Sequence, residues 1–389
     1  MRRLPRASED GSGTVQTPGA DEDGVLLAEG ISVVVPTRGN AAMVRRLLVS
    51  LVRSAQELPP GSGHEIVVVD DSEGAERDSI TEACASTGAH YVSGPRRVGA
   101  KRNVGVEHSR YPVILFIDSD CVATSHLLST HLRAHATATA PSGRVVAAVA
   151  GPTVVEKVDE SSAWRAVKSS VVVNSPFNWP ASFREVWWAA TANLSVDRGA
   201  FLALGGFDPR TYTVVGGEDV DLGVRLHAAG YTTVCSPEAV VIHEVDGVTT
   251  VHQFRRKMFL YGRACVYNCV RQREHARWSA NPFSLLGLAW LVSAAAPRPR
   301  TTALLSTAAV GAWFGAQVWR ANRRDKAGLV AAASVTSVDW AFQLGITAEA
   351  VSRGRPTLAM KRYEYFQKDK FVPAPSEAVP DSPDQREDA

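Results

Sequence analysis

The sequence lacks several features that mark common classes of protein. Its 389 residues carry 42 Lys and Arg against 40 Asp and Glu, a formal net charge of +2. It therefore lacks the strongly basic surface of many nucleic-acid binders, and no nucleic-acid partner is expected. Its five cysteines form no Cys-x-x-Cys pair, and no histidine is spaced to complete a zinc site with Cys265 and Cys269. These cysteines indicate reduced thiols in a cytosolic compartment.

The two ends of the chain lack apolar segments. Arg2 and Arg3 precede a stretch rich in Ser, Gly, Asp, Glu and Pro, so we expect neither a secretory signal nor a transit helix. This composition predicts a disordered tail over residues 1–29 and an acidic one over residues 366–389. The chain is 45% hydrophobic, enough for one large domain and a smaller appendage between the tails.

Residues 31–150 alternate between strand and helix patterns. Strands are predicted at 31–35, 65–69 and 113–117, and helices at 40–58 and 99–109. This alternation predicts βαβ units and a largely parallel sheet. No G-x-G-x-x-G follows the first strand, where Pro-Thr-Arg-Gly-Asn stands instead, and this disfavours a dinucleotide-binding dehydrogenase.

Three predicted strands end directly in polar residues. These ends are Pro36-Thr37-Arg38, Asp70-Asp71 and Asp118-Ser119-Asp120. Because the carboxyl ends of parallel strands lie side by side, we expect one ligand site at this edge. Paired carboxylates there suit Mg²⁺ or Mn²⁺ carried by the phosphates of a nucleotide. The Asp-x-Asp pattern has weight only through the strand before it, since it occurs twice elsewhere in the chain.

The motifs resemble those of one known family in content and order. VVVPTRGN, EIVVVDDSEG, RRVGAKRNVG, ILFIDSD, ALGGFD, GGEDVDLGVRL and VVIHE resemble the family-2 glycosyltransferases over about residues 31–275. The resemblance implies an α/β GT-A fold, a nucleotide-diphospho-sugar transferase with a Rossmann-like mixed sheet, over residues 30–275. It also implies an inverting transfer of a sugar from a nucleotide-diphospho-sugar to a hydroxyl acceptor, assisted by Mn²⁺ or Mg²⁺.

The resemblance assigns the donor nucleotide to the first two strand ends. Pro36, Thr37 and Arg38 are expected to hold the nucleotide, although Pro36 is also an ordinary way to end a strand. Asp70 and Asp71 are expected to accept hydrogen bonds from the base or the ribose, and the pattern does not choose between them. A solvated turn is the alternative for both.

A cationic segment opens the helix after Gly99. Free N–H groups and cationic side chains at a helix start attract an anion such as a diphosphate. Lys101 and Asn103 are the candidates, and an ordinary charged helix face is the alternative for Lys101. Asn103 is favoured because it lies in the family-like Ala-Lys-Arg-Asn.

The resemblance also assigns a metal site. Asp120 corresponds to the direct metal ligand, and Asp118 to a residue that contacts the ribose or a metal-bound water, with Ser119 between them at the donor site. His243 follows a predicted strand over 239–242 and corresponds to the histidine that completes the metal site. Imidazole beside carboxylates suits Mn²⁺, and a structural histidine is the alternative.

The segment GGEDVD precedes a helix predicted at 222–229. The resemblance makes this the catalytic loop, with Asp219 as the base that takes the acceptor proton. Glu218 and Asp221 are alternative bases, since acids at a helix start are also ordinary capping residues. Trp187 and Trp188 lie where the family has its acceptor wall, and we expect one of them to be in the core.

The last third of the chain is basic and apolar. Residues 252–277 predict a basic helix with an aromatic face, and three apolar stretches follow at 282–296, 301–319 and 328–351. The second is long enough to cross a membrane, whereas the third contains Asp339 and Gln343, which are costly in lipid. We expect residues 276–365 to associate with the cytoplasmic face of the cell membrane. A soluble helical cap is the alternative.

Several functions fit these patterns. The first is transfer to a lipid-linked acceptor in cell-surface polysaccharide assembly, and the second is tailoring of a small natural product or peptide. A third is an inactive scaffold that binds a nucleotide-sugar, which is disfavoured because Asp120, Asp219 and His243 occur together. A sugar-phosphate nucleotidyltransferase is a weaker alternative, because no glycine-rich phosphate loop follows the first strand.

Overall fold

The computed structural model describes residues 29–155, 167, 171–213, 216–243, 250–326 and 328–374. The predicted N-terminal tail, apart from residue 29, and residues 375–389 of the predicted acidic tail lie outside this range. The strands are β1 Gly30–Thr37, β2 Gly63–Asp70, β3 His90–Ser93, β4 Val113–Ile117, β5 Cys121–Ala123, β6 Val145–Ala150, β7 Thr153–Val155, β8 Phe183–Val186, β9 Asn193–Asp197, β10 Tyr231–Cys235, β11 Val241–His243, β12 Ala276–Trp278, β13 Lys361–Tyr363 and β14 Val372–Pro373. The helices are α1 Ala41–Ala55, α2 Gly74–Thr87, α3 Val98–Glu107, α4 Leu127–Thr137, α5 Val171–Ser182, α6 Arg198–Ala203, α7 Glu218–Ala228, α8 Val251–Arg271, α9 Pro282–Ala294, α10 Pro299–Asp325 and α11 Leu329–Ser352.

A nine-stranded mixed sheet, in the order β14-β8-β10-β6-β9-β4-β1-β2-β3, forms the centre of the described structure. Strands β3, β2, β1 and β4 are parallel, as the alternating pattern predicts, whereas β9 lies antiparallel between β4 and β6. The α/β architecture with a mixed sheet confirms the predicted fold class. Because β1, β2 and β4 are parallel neighbours, their polar carboxyl ends meet at one edge.

Strand β1 is buried on both faces because it lies inside the sheet. Ile31, Val33 and Val35 pack on one side with Leu47 of α1, while Val34 packs on the other side. Successive side chains of a strand point to opposite faces, so an unbroken apolar run fits a strand between two layers.

A second, three-stranded sheet follows the Asp118-Ser119-Asp120 segment directly. Its order is β5-β11-β7, and β11 pairs antiparallel with β5 so that His243 lies opposite Cys121. The predicted strand at 239–242 therefore begins later and includes His243. This pairing places the histidine beside the acidic strand end, although more than 120 positions separate it from Asp120.

The C-terminal helices pack on the nine-stranded sheet through α8 and α11. Gly262 of α8 faces the main chain of α11 at Phe342, and Gly345 of α11 faces that of α8 at Phe259. A Cβ at either glycine would overlap the opposite carbonyl oxygen, so only glycine allows this approach. Arg263 also pairs with Glu349 at 2.7 Å across the two helices.

Among the described helices, Leu329–Ser352 alone is long and apolar enough to cross a membrane by length and composition. However, 44% of the most apolar 18-residue segment of this helix is buried inside the protein. Helix α10, which contains the stretch predicted at 301–319, is not apolar enough to be included by this criterion, and its crossing of a membrane stays a prediction. Asp339 and Gln343 of α11 are hydrogen-bonded to each other at 2.7 Å.

The chain returns to the main sheet after α11. Strand β13 pairs with β12, and β14 joins the large sheet beside β8. The acidic tail predicted at residues 366–389 therefore begins too early, because Phe371 is buried against Trp179. Trp187 and Trp188 are both buried, and both indole N–H groups donate to the carbonyl oxygen of Tyr365, so the prediction of a single core tryptophan is wrong.

The α8–α11 contact gives a stability prediction. Gly345→Val should lower the free energy of unfolding by about 3 kcal/mol, because the added side chain has no room against the main chain of α8. Gly311→Ala on α10 is the matched control, since nothing lies within 4 Å of its Cβ position, and it should stabilise slightly. Denaturant unfolding monitored by circular dichroism measures both. Equal stabilities of Gly345→Val and the parent would contradict the packing.

Candidate functional site

The first two strand ends form a buried ion cluster. Thr37 is buried and Arg38 exposed, and the Arg38 guanidinium lies 3.7 Å from the Asp71 carboxylate. The buried Lys101 ammonium lies against Asp71 and donates to the Thr37 carbonyl oxygen. Pro36, also buried, completes the strand before this cluster. The cluster fixes the start of α3 against the ends of β1 and β2.

Asp70 and Asp71, which the sequence leaves equivalent, have different surroundings. Asp70 is fully buried and accepts hydrogen bonds from the Ser72 N–H at 3.0 Å, the Ser72 hydroxyl at 2.6 Å and the Tyr91 hydroxyl at 3.2 Å. Ser72 in turn accepts from the Gly39 N–H at 2.6 Å. Asp70 therefore shapes the loop, and Asp71 is the carboxylate that remains nearer to the surface.

Arg102 joins the acidic strand end to the loop before α7. Its guanidinium donates to Asp118 Oδ1 at 2.9 Å and to Glu218 Oε1 at 2.9 Å, and it is buried. Burial alone would lower the pKa of Arg102, but Asp118 and Glu218 raise it, so the charge is kept. Sequence reasoning missed this bridge because Arg102 and Glu218 are 116 positions apart.

Asn103 holds the loop after α6 in place. Its amide donates to the Phe207 carbonyl oxygen at 2.8 Å and accepts from the Phe207 N–H at 2.9 Å. Both hydrogen-bonding groups of the side chain thus bind the main chain of the Gly-Gly-Phe-Asp segment. The predicted role in donor binding stays a prediction, and the observed contacts are internal.

The loop Gly216-Gly217 turns the chain into α7. Gly217 has φ +91°, a left-handed conformation that glycine adopts without strain, and Glu218 is the first residue of the helix. The helix starts four residues before the predicted one, so Glu218, Asp219 and Asp221 all lie in its first turn. One Glu218 carboxylate oxygen pairs with Arg102, while the other is buried with no hydrogen-bond partner among the described residues.

Asp219 has the ionisation behaviour expected of a proton acceptor. Desolvation, followed by the neighbouring Glu218 charge, raises the pKa of Asp219 to about 7, and Asp118 adds to the effect. The Val220 N–H donates to its Oδ1 at 2.8 Å and fixes the side chain. A carboxylate with this pKa can take and release a proton near neutral pH.

Asp221 is a structural residue by its contacts. It is fully buried, and Arg225 donates to one oxygen at 2.8 Å while Arg271 and Gln272 donate to the other. Both oxygens are therefore engaged, one within α7 and the other with the end of α8. This arrangement disfavours Asp221 as the base.

Asp120 and His243 form the candidate metal centre. Asp120 Oδ2 lies 3.4 Å from His243 Nε2 at the sheet edge. Two ligands at adjacent positions of an octahedral ion with bonds of about 2.1 Å are roughly 3 Å apart, so this pair fits Mn²⁺ or Mg²⁺. Asp118 is held by Arg102, and within the described residues no group of three or more His, Cys, Asp or Glu is placed to bind a metal. Donor phosphates would have to complete the coordination.

Helix α8 adds two residues that the motifs do not identify. Tyr261 packs against the loop before α7, since a Cβ at Gly216 would lie 2.8 Å from its Cδ1. Lys257, one turn earlier, has its ammonium nitrogen 5.7 Å from the centre of the Tyr261 ring. The sequence predicts only that α8 is a basic helix with aromatic residues. Which face of α8 is turned toward the site is decided by its packing against α11.

Comparisons with known proteins identify the family of this chain. The chain matches the model of the glycosyl transferase family 2 over residues 32–179 and that of the glycosyl transferase family group 2 over residues 113–319. The second match covers just over half of the chain. Together with the mixed sheet and the acidic strand end, these matches define a glycosyltransferase of the GT-A fold. The chain belongs to the family-2 glycosyltransferases.

Individual relatives are more distant. The validoxylamine A glucosyltransferase of Streptomyces hygroscopicus is 31% identical over 247 residues, which cover 57% of this chain and 56% of the relative. The pre-mycofactocin glycosyltransferase of Mycobacterium tuberculosis is 27% identical over 248 residues, 63% of this chain and 48% of the relative. The chain spans about half the length of these relatives. A mannosyltransferase from Pyrobaculum calidifontis, solved with GDP-Man and Mn²⁺, has a TM-score of 0.47 and 18% identity, and covers 80% of this chain and 86% of its own.

Proposed function

We propose that the protein is an inverting glycosyltransferase that moves a sugar from a nucleotide-diphospho-sugar to a hydroxyl acceptor. The observation that supports this most is that two kinds of group come together at one sheet edge. They are Asp219, whose pKa is raised, and the Asp120–His243 pair. The first provides a proton acceptor, and the second provides ligands for a divalent ion.

The proposed reaction is a single displacement at the anomeric carbon. Asp219 takes the proton of the acceptor hydroxyl as its oxygen attacks C1, and the diphosphate leaves from the opposite face. Glu218 has one buried oxygen without a hydrogen-bond partner among the described residues, and this oxygen would accept a hydrogen bond from the acceptor hydroxyl and orient it. Asp71, Thr37 and Arg38 bind the nucleoside end of the donor.

Asp120 and His243 would hold Mn²⁺ or Mg²⁺, with Asp118 and Ser119 beside them on the donor. When bound, such an ion neutralises charge that develops on the diphosphate. Lys101 and Asn103 act from α3, where they order the loops around the donor through Asp71 and Phe207.

A nucleotide-sugar screen tests the proposal. Purified protein with Mn²⁺ should hydrolyse one of the UDP-, GDP- or dTDP-sugars slowly in the absence of acceptor, because water can replace the acceptor hydroxyl. Release of nucleoside diphosphate is the measurement, and Asp219→Asn is the control for contaminating activity. Binding of a nucleotide-sugar without any hydrolysis or transfer would instead support an inactive scaffold.

The C-terminal helices support a location at the membrane. Exposed apolar side chains cover the end of the α9–α10 hairpin, among them Leu291, 74% exposed, and Leu304, 71% exposed. Arg298 and Arg300 are exposed at the same turn. Large exposed apolar patches beside cations are typical of surfaces that bind anionic lipid. We infer that the hairpin lies on the cytoplasmic leaflet.

The proposed location leaves two classes of acceptor. A lipid-linked acceptor is the first candidate, since it would reach the site from the membrane under the hairpin. The relatives named for validoxylamine A and pre-mycofactocin favour the second candidate, a small natural product or peptide. Transfer assays with extracted lipids and with soluble acceptors distinguish these classes.

The membrane location has its own test. The protein should sediment with vesicles that contain phosphatidylglycerol, and detergent rather than high salt should release it, because apolar burial contributes more than screened charge. The double variant Leu291→Ser/Leu304→Ser should lose most of this binding. Leu202→Ser on α6, another exposed leucine, is the matched control and should bind like the parent. Parent protein that stays in the supernatant would support the soluble cap.

A further inference from the structure

The proposed donor site is crowded with negative charge. Asp118, Glu218 and Asp219 lie around one guanidinium, that of Arg102, and the Asp120 carboxylate is close enough to Asp118 to be affected by its charge. A nucleotide-diphospho-sugar brings further negative charge, which increases on the leaving diphosphate as the bond to the sugar breaks. Such a site needs cations that acidic side chains do not already neutralise.

The cations of α3 are already engaged. The Lys101 ammonium is buried between the Asp71 carboxylate and the Thr37 carbonyl oxygen. Arg102 is bound to two carboxylates. Each of these side chains therefore neutralises the protein's own acids, and neither offers an uncompensated charge to a ligand.

Helix α8 brings a different cation to this edge. Lys257 is half-buried, and none of the ion pairs formed within the described ranges includes it. The Lys257 ammonium nitrogen lies 5.7 Å from the centre of the Tyr261 ring, and this ring contacts Gly216, two residues before Glu218. The ammonium is thus held beside the catalytic loop by an aromatic ring.

Charges at the site keep this ammonium protonated. The pKa of Lys257 is raised, chiefly by Tyr261 and, against the effect of burial, by Asp120 and Asp118. The Lys257 ammonium therefore lies within electrostatic range of the acidic strand end.

We propose that Lys257 binds the diphosphate of the donor and stabilises it as the leaving group. The inference rests on the proposed function and adds a catalytic residue from the C-terminal half of the chain. The acceptor oxygen forms a bond to C1, the C1–O bond to the diphosphate breaks with its electron pair on the phosphate oxygen, and Asp219 takes the acceptor proton. Lys257 stays protonated and donates hydrogen bonds to the phosphate oxygens.

Binding measurements on full-length variants test this role. UDP, GDP and dTDP are titrated into the parent protein at fixed Mn²⁺, and the tightest of them is compared with its nucleoside. Lys257→Met should weaken binding of the diphosphate by about tenfold to a hundredfold, the usual size of a lost charge-assisted hydrogen bond. It should leave the affinity for the nucleoside unchanged, and Lys257→Arg should keep most of the diphosphate affinity.

Arg256→Gln is the matched control, because it removes one positive charge from an exposed position of the same helix. It should bind both ligands like the parent. Equal diphosphate affinity of Lys257→Met and the parent would overturn the role of Lys257 and leave the proposed function standing. Loss of nucleoside affinity in Lys257→Met would also overturn it, since this would indicate a structural role. A parent that binds none of the three nucleoside diphosphates would overturn the proposed function itself.

Discussion

Asp219→Asn should lower turnover by about two to four orders of magnitude while the affinity for the nucleotide-sugar stays near that of the parent. The amide keeps the shape of the side chain, and its oxygen can still accept from the Val220 N–H. It cannot take a proton from the acceptor. Initial rates with the donor found by the screen, together with donor titration, separate the two effects.

The pH dependence of the parent checks the same residue. Because the pKa of Asp219 is raised to about 7, the carboxyl is protonated and inactive below this pH. Turnover should therefore rise tenfold per pH unit below about pH 7 and level off above it. The residual turnover of Asp219→Asn should not show this rise with pH. If Asp219→Asn keeps its turnover while a folded Asp221→Asn variant loses it, Asp221 is the base.

Asp120→Ala should lower turnover about a thousandfold, and EDTA should do the same to the parent. The carboxylate is one of two residues placed to hold the ion, and a bound metal typically contributes several kcal/mol to the transition state. The variant should also lose Mn²⁺ binding, measured by titration calorimetry in the presence of nucleoside diphosphate. If the parent keeps its activity in EDTA, the proposal that a metal ion assists the transfer is contradicted.

Asp78→Ala is a suitable control for Asp120→Ala. Asp78 is an exposed acid of α2, far along the chain from the metal-binding candidates, so its loss should change neither Mn²⁺ affinity nor turnover. His243→Ala should weaken Mn²⁺ binding, because a single carboxylate would remain from the pair. Unchanged Mn²⁺ affinity in His243→Ala would assign the histidine to packing against β5 and β7.

The strand ends could be predicted because their signals are local. Strand β4 occupies residues 113–117, the range that its apolar run predicts, and the polar residues after β1, β2 and β4 do meet at one edge. The reason is that unbroken apolar runs between helices specify buried parallel strands. The elements of the donor site therefore follow from short-range patterns.

Partner choices could not be predicted from such patterns. Asp70 and Asp71 are identical side chains one position apart, yet Asp70 ends β2 and accepts hydrogen bonds from Ser72, whereas Asp71 follows the strand and pairs with Lys101. Likewise Trp187 and Trp188 both enter the core, because the chain returns after α11 and covers them with Tyr365. Contacts between segments so distant in sequence leave no periodic signal.

The sequence by itself determined the α/β class, the family resemblance and the acidic strand end, since these depend on runs of a few residues and on their order. Only the tertiary structure decided which side chains face one another. Arg102 pairs with Glu218, both indoles of Trp187 and Trp188 donate to Tyr365, and Lys257 of α8 lies beside Tyr261. The close α8–α11 packing at Gly262 and Gly345 holds α8, and with it Lys257, in place. Such long-range packing depends on shape complementarity across the whole core, which no local pattern encodes.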